Sequence, residues 1–311
     1  MKAPDGNKLA ILNALNQGGF VSGQALGEKL GISRAAVSKH IKTLQEMGLD
    51  IFKVTGKGYC LNSQVGLLNK TQIDQHYKAL GANTADVEVH PIIDSTNSEL
   101  MRRIQAKTAL ESGTVIVAEM QQAGRGRRGR VWQSPFGANL YYSYFWRLDD
   151  GLQAAMGVSI AVGLAVYDAI KALYQIDVEL KWPNDIYINK QKLAGVLVEL
   201  DGQPQGPCQL VIGIGINLQM PDSFSQHIDQ AWTDLNQHTQ QLDKNQLVAS
   251  LTHHLEQRLV QYRQTGLQNM YEQWNSLNAF AGDYVELNTG HRSWRGICEG
   301  IDPQGGIRIR Q

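Results

Sequence analysis

The sequence predicts an α+β multidomain chain: a small helical unit with a β-hairpin, a larger mixed α/β domain, and a short β region at the end. Three observations predict it. Apolar residues recur at helical spacing through residues 8–47 and give way to a hairpin pattern at residues 51–61. Strand-like apolar runs then alternate with helical stretches through the middle of the chain. Three short strand patterns, Tyr284–Asn288, Ser293–Ile301 and residues 305–310, close it.

At 311 residues, with 42% hydrophobic and 19% charged side chains, the chain holds enough material for two or three soluble domains. Its net charge of zero is unevenly spread. Residues 1–65 carry eight Lys/Arg against four Asp/Glu, a surplus of +4 that the remainder cancels. A basic unit on a mildly acidic body points to nucleic acid. The three cysteines, Cys60, Cys208 and Cys298, are far apart and form no Cys-x-x-Cys, which argues against disulfides and zinc. The opening residues show no signal-peptide pattern, and the most apolar run, residues 154–167, is broken by Gly157, Ser159 and Gly163. A core helix and a cytoplasmic location are therefore expected.

In the first unit Leu9, Leu12 and Leu15 share a helix face, and Ser22 caps a second helix that turns inward Ala25, Leu26 and Leu30. Gly31-Ile32 makes the turn, and Ser33 caps a third helix from Arg34 to about Met47. Val37, Ile41 and Leu44 form its buried face, leaving Arg34, Ala35, Ser38, Lys39 and Lys42 outside. A basic face of small residues suits a major groove, and the hairpin Ile51–Leu61 puts lysines at its tip beside phosphates. Any three-helix cap would share the apolar spacing. The turn, cap, basic face and wing together favour a DNA-binding winged helix, and residues 31–41 resemble the helix-turn-helix of bacterial repressors. Residues 62–85 read as a linker with one helix at 71–80.

The middle domain turns on residues 119–133. A buried strand, residues 114–118, leads into Gly124-Arg-Gly-Arg-Arg-Gly-Arg130, which holds four arginines and three glycines. Glycine permits close backbone approach and arginine offers a planar fork for phosphate or carboxylate. The pattern satisfies Gly-x-Gly-x-x-Gly, but Trp132-Gln-Ser-Pro-Phe-Gly137 follows where a dinucleotide site needs a helix. No Gly-Lys-Ser/Thr closes a P-loop. A mobile anion-binding loop remains, beside a solvated basic loop or a nucleic-acid patch. Upstream, Asp94-Ser-Thr-Asn97 reads equally as a helix cap or as a polar ligand set. Downstream, residues 137–146 form a strand, and residues 181–188 pair in a hairpin with residues 192–200. The Lys181, Asn184 and Asp185 group at its entrance is either turn chemistry or a set for phosphate and Mg²⁺. The apolar segment 196–200 is expected at a sheet edge. In Val211-Ile-Gly-Ile-Gly-Ile-Asn217 the glycines allow close approach, and residues 244–278 are helical.

Asp94-Ser-Thr-Asn97, Gly124-Arg-Gly-Arg-Arg-Gly129, Lys181-Trp-Pro-Asn-Asp185, Lys192-Leu-Ala-Gly195 and Gly213-Ile-Gly-Ile-Asn217 occur in the order of the biotin–protein ligases. With the winged helix in front, the whole chain resembles the bifunctional bacterial biotin ligases that also repress the biotin operon. The resemblance implies a winged helix (1–65), a class II synthetase-like mixed α/β catalytic domain (66–278) and an SH3-like barrel (279–311), the last expected to be incomplete. It implies that ATP and Mg²⁺ activate biotin as biotinyl-5′-AMP, which then modifies an acceptor lysine on a biotin carboxyl carrier domain. Ser95, Thr96, Asn97, Gln121, Arg125, Gly126, Arg127 and Lys192 are implied for biotin, with Arg125, Arg127, Lys192 and Asp185 catalytic. Trp132, Asn184 and Asn217 are implied for ATP, and Asp185 for Mg²⁺. Ser33, Arg34, Ala35, Ser38, Lys39 and Lys42 would meet operator DNA, bound by an adenylate-loaded homodimer. A lipoate ligase and a non-enzymatic ligand-sensing repressor are the competing expectations.

Overall fold

The computed structural model describes residues 6–62, 66–82, 86–149, 151, 155–202, 206–226, 228–289 and 292–311. The opening residues, parts of the expected linker and the start of the expected helix at 154 lie outside these.

Helices α1 (Gly6–Leu15), α2 (Gly23–Leu30) and α3 (Arg34–Glu46) precede the hairpin β1 (Ile51–Val54) and β2 (Gly58–Leu61). Both expected caps form. Ser22 Oγ accepts from Ala25 N at 3.0 Å and Ser33 Oγ from Ala36 N at 3.2 Å. Gly31 ends α2 at φ +65°, a left-handed position that glycine occupies without strain. Ile11, Leu15, Leu26, Val37, Ile41 and Leu44 bury into one core.

Two side chains of that core come from outside the winged helix. Met120 and Phe136 flank the arginine loop in sequence yet bury among the helices of the front domain. Phe136 N donates to Met47 O at 2.8 Å. Beside them a buried ion pair joins Lys244 Nζ to Glu119 Oε2 at 2.8 Å, and Glu119 also accepts from Leu68 N.

After α4 (Lys70–Ala79) the central domain is one seven-stranded sheet, ordered β3-β4-β5-β9-β8-β7-β6. Its strands are β3 (Val87–His90), β4 (Val115–Ala118), β5 (Asn139–Leu148), β6 (Glu179–Lys181), β7 (Asp185–Ile188), β8 (Gln191–Gly202) and β9 (Cys208–Asn217). Only β3 and β4 run parallel. Between strands lie α5 (Thr96–Gln105), α6 (Val158–Tyr174) and, after β9, α7 (Asp222–Ser225), α8 (Lys244–Thr265) and α9 (Tyr271–Ser276).

Strand alternation sorts the residues between the two faces. Leu140, Tyr142, Tyr144, Ile212, Ile214 and Val196 face the main core with α6 and α8. On the opposite face α5 covers Ile116, Phe145 and Val211. Farther along, that second face presents Ser143, Gly213, Gly215, Gly195 and Glu199, small or polar residues that cannot make a core. The sheet is thus dry on one side and hollow on part of the other.

Strand β8 is internal, in contrast to the edge position expected for residues 196–200. It pairs with β9 over Ala194–Gly202, but with β7 only through Gly195. Its second half keeps an open side among the described residues, because β7 is four residues long and β8 is twelve. The strands β10 (Tyr284–Asn288), β11 (Ser293–Ile301) and β12 (Ile307–Arg310) form a separate antiparallel sheet. Trp182 Nε1 donates to Gly305 O at 2.9 Å, joining this sheet to the β6–β7 turn. No helix among the described residues is long and apolar enough to cross a membrane.

Candidate active site and nucleic-acid interface

The hollow side of the sheet is a cavity of about 790 Å³. A larger cleft of about 1270 Å³ lies between α8 and the segment 108–114, but none of the five sequence motifs contributes to it. The smaller cavity gathers Ser95, Thr96, Asn97, Gln121, Arg125, Gly126, Arg127, Trp132, Asn184, Asp185 and Lys192.

Its polar end is built by the start of α5. Ser95 is the N-cap, so part of the Asp94-Ser-Thr-Asn97 group does cap the helix. The remainder does more. Thr96 donates from N and Oγ1 to Gln121 Oε1, at 2.9 and 3.1 Å. Ser143 Oγ, reaching up from β5, lies 2.7 Å from Thr96 Oγ1 and donates to Asn97 Oδ1 at 2.5 Å. Asn97 fits there only because β9 has a glycine below it: a Cβ at Gly213 would stand 2.4 Å from Asn97 Oδ1. Asp94 turns outward to Arg102, whose two hydrogen bonds hold its carboxyl below the usual range.

The arginine loop is a closed turn. Gly126 N donates to Arg130 O at 2.7 Å, Trp132 N donates to Gly124 O at 3.0 Å, and Arg128 and Gly129 take positive φ. Arg125 does not offer its charge to the cavity, because its guanidinium is spent on Glu199 and Ser98. Arg127 donates to Asn184 Oδ1 at 3.0 Å, and Asn184 Nδ2 donates to Val196 O at 2.6 Å. Lys192 Nζ lies 2.9 Å from Asp185 Oδ1, both largely buried. Among the described residues Arg128 and Arg130 have no carboxylate partner.

Trp132 lies flat on the glycine floor. A Cβ at Gly215 would stand 2.6 Å from its ring and one at Gly195 3.3 Å, and Lys192 Nζ sits 5.5 Å from the ring centroid. The buried indole Nε1 has no hydrogen-bond partner among the described residues. Asn217 does not line the cavity. It is buried at the end of β9, donating from Nδ2 to Thr233 O at 3.0 Å and Lys192 O at 3.4 Å, where it clamps the neighbouring segment to β8.

Lys181, which the sequence already set beside Asn184 and Asp185, also lines the cavity, whereas the lining from the terminal sheet carried no signal. Lys181 Nζ donates to Tyr187 Oη at 3.0 Å and sits over the Tyr187 and Phe280 rings. From the terminal sheet come Glu286, Leu287, Asn288 and Thr289. Ser293 and Arg295 hold the Glu286 carboxyl below its usual range. Among the described residues six cationic side chains and two carboxylates line the cavity, and cations stay in excess even with Arg125 paired to Glu199. That surplus suits a polyanion beside an uncharged polar group.

In the front domain Ser33, Arg34, Ala35, Ser38, Lys39 and Lys42 are all exposed. The wing sets Lys53 and Lys57 over the rings of Tyr59 and Phe20.

An anion-binding ligase cavity behind a DNA-binding front domain defines a class of protein, and the comparisons agree with it. Residues 89–217 match the Biotin/lipoate A/B protein ligase family and residues 7–60 a helix-turn-helix (HTH) domain family. The bifunctional ligase/repressor BirA of Salmonella typhimurium is 44% identical over 97% of this chain and 92% of its own length. That of Bacillus subtilis is 31% identical over 95% and 91%. The biotin protein ligase of Aquifex aeolicus, solved with biotin and ATP, superimposes with a TM-score of 0.61 at 26% identity, over 72% of this chain and 91% of that one. The chain belongs to the bifunctional biotin ligase/repressor family.

Proposed function

We propose that the protein activates biotin with ATP, transfers it to an acceptor lysine, and represses transcription with biotinyl-5′-AMP as corepressor. The observation that carries this reading is a single cavity holding the Ser95–Thr96–Gln121 polar set at one end and the cationic surplus at the other. A carboxylate-bearing heterocycle and a nucleoside triphosphate fit those two ends.

In the first step the biotin carboxylate attacks the α-phosphorus, forming a mixed anhydride and releasing pyrophosphate. In the second a lysine amine attacks the acyl carbon and AMP leaves. No enzyme nucleophile is required, so catalysis rests on holding two anions together and countering charge at the α-phosphate. Ser95, Thr96, Gln121 and the Gly126 backbone hold the ureido ring. Arg127 and Lys192 face the carboxylate and phosphate, and Trp132 and Asn184 form the nucleotide wall. No three His, Cys, Asp or Glu side chains converge among the described residues. Asp185, already beside Lys192, offers a single carboxylate, which fits Mg²⁺ carried largely by ATP phosphates. That ion would supply charge neutralisation at the phosphates.

Operator binding uses the exposed face of α3 and a homodimer. The open side of β8 beyond Val196 supports a pairing surface, with Leu200 exposed along it. The biotin carboxyl carrier domain would compete for this edge, in the cytoplasm. Incubation with ATP, labelled biotin or lipoate, and a biotin-acceptor domain tests the chemistry. Transfer of biotin alone is expected. Transfer of lipoate, or adenylate-dependent DNA binding without any transfer, overturns it.

A further inference from the structure

Glu199 stands at the junction of three elements that build the polar end of the cavity, yet does not line the cavity itself. Its position is fixed by strand alternation: Val198 faces the core, so Glu199 faces the hollow side. Arg125 Nη2 spans both of its carboxylate oxygens, at 2.9 and 2.8 Å. Asn97 Nδ2 donates to Glu199 Oε2 at 2.8 Å. Both partners carry the contact onward. Arg125 Nη1 reaches Ser98 Oγ at 2.5 Å and Ser95 Oγ at 3.4 Å, and Asn97 Oδ1 accepts from Ser143.

Among the described residues Glu199 is the one carboxylate within ion-pair distance of Arg125. Arg125 sits between two glycines, so its backbone has little intrinsic preference to hold the guanidinium in place. With the carboxylate gone, Arg125 would keep two serine hydroxyls, and Asn97 Nδ2 would keep only Leu197 O at 3.3 Å. The start of α5 and the arginine loop would lose the carboxylate that both bind.

We propose that Glu199 is a positioning residue that docks the arginine loop onto the start of α5 and thereby fixes the geometry of the biotin subsite. The proposal rests on the biotin-ligase reading above. Glu199 touches no reacting atom. It acts on binding, so its loss raises KM for biotin while kcat changes little.

The test uses Glu199→Gln, Glu199→Asp, Arg125→Gln and the Arg125→Gln/Glu199→Gln double variant of the full chain. Biotin-dependent ATP–pyrophosphate exchange gives KM and kcat, and limited trypsin digestion reports cleavage at residues 125–130. Glu199→Gln should raise KM for biotin roughly tenfold or more, leave kcat within about threefold, and speed cleavage of the loop. Glu199→Asp retains the charge and should recover part of both. The double variant should be no worse than the poorer single, since both delete one contact. Wild-type KM and cleavage in Glu199→Gln, or effects of the two singles that simply add, would overturn the proposal. Should Glu199→Gln not fold, Arg125→Gln, which deletes the same ion pair from the other side, carries the same test. Wild-type protein without any biotin-dependent exchange would instead refute the ligase reading, and the trypsin measurement would still decide the docking role.

Discussion

Replacing Gly215 by alanine tests the floor of the cavity. The added Cβ would stand 2.6 Å from Trp132 Cε2 and 2.8 Å from Cζ2 and Nε1. Carbon atoms prefer about 3.5–4.0 Å, so the ring must lift by roughly 1 Å. It cannot swing aside freely, because Trp132 N is bonded to Gly124 O and Trp132 O accepts from Ser134 Oγ at 2.8 Å. The ring therefore moves into the space a nucleotide would use, and the loop is dragged with it. Overpacking of this kind costs about 1–3 kcal/mol of stability. A misplacement of about 1 Å in a reaction governed by positioning costs on the order of 10²-fold in rate. Urea unfolding reads the first and biotin-dependent pyrophosphate exchange the second. Adding Trp132→Phe to Gly215→Ala should restore stability, since the smaller ring clears the Cβ. The reasoning fails if Gly215→Ala unfolds and exchanges like wild type, or if the second substitution only adds to the damage.

Asp185→Asn should lower pyrophosphate exchange at least ~10²-fold while the protein stays folded, because it removes the carboxylate beside Lys192 and with it the charge arrangement at the phosphates; near-normal exchange would take Asp185 out of the mechanism. Lys39→Ala and Lys42→Ala should each weaken operator binding and reduce its salt slope by about one, as expected of phosphate contacts, in a fluorescence titration across salt concentrations. Glu256 is half-buried under Tyr77, and burial pushes its carboxyl above the usual 4.5. The folded state then holds a proton that the unfolded state has released, so this group's contribution to stability falls as pH rises above 4.5. Glu256→Gln should flatten that part of the profile and gain on wild type towards neutral pH. Parallel pH–stability curves for the two proteins would exclude it.

Local chemistry was legible in the sequence wherever a residue's neighbours in the chain decide its state. Ser22, Ser33 and Gly31 announce caps and a turn, and each is found so. The strand glycines announce close approach, and Asn97 and Trp132 are what approach. Non-local pairing left no such mark. Glu199 reads as an ordinary polar residue on a strand, since its partner Arg125 lies 74 residues away. The position of β8 depended on the length of β7, which no periodicity reports. Asn217 ends its strand as expected, but whether its amide turns to the cavity or to Thr233 is decided by a segment with no pattern of its own. Likewise the wall from β10 follows from how a whole sheet docks, not from the residues 286–289 themselves.

Met120 and Phe136 give the chain a seam that does not follow its linear order. Judged by the chain alone, the ligase could be detached by cutting after the wing. Judged by packing, two apolar plugs belong to the piece discarded, and the ligase left behind would carry them bare on its surface. Loss of the front piece alone therefore exposes both side chains to water, and a new front piece that supplies sockets for both would cover them again.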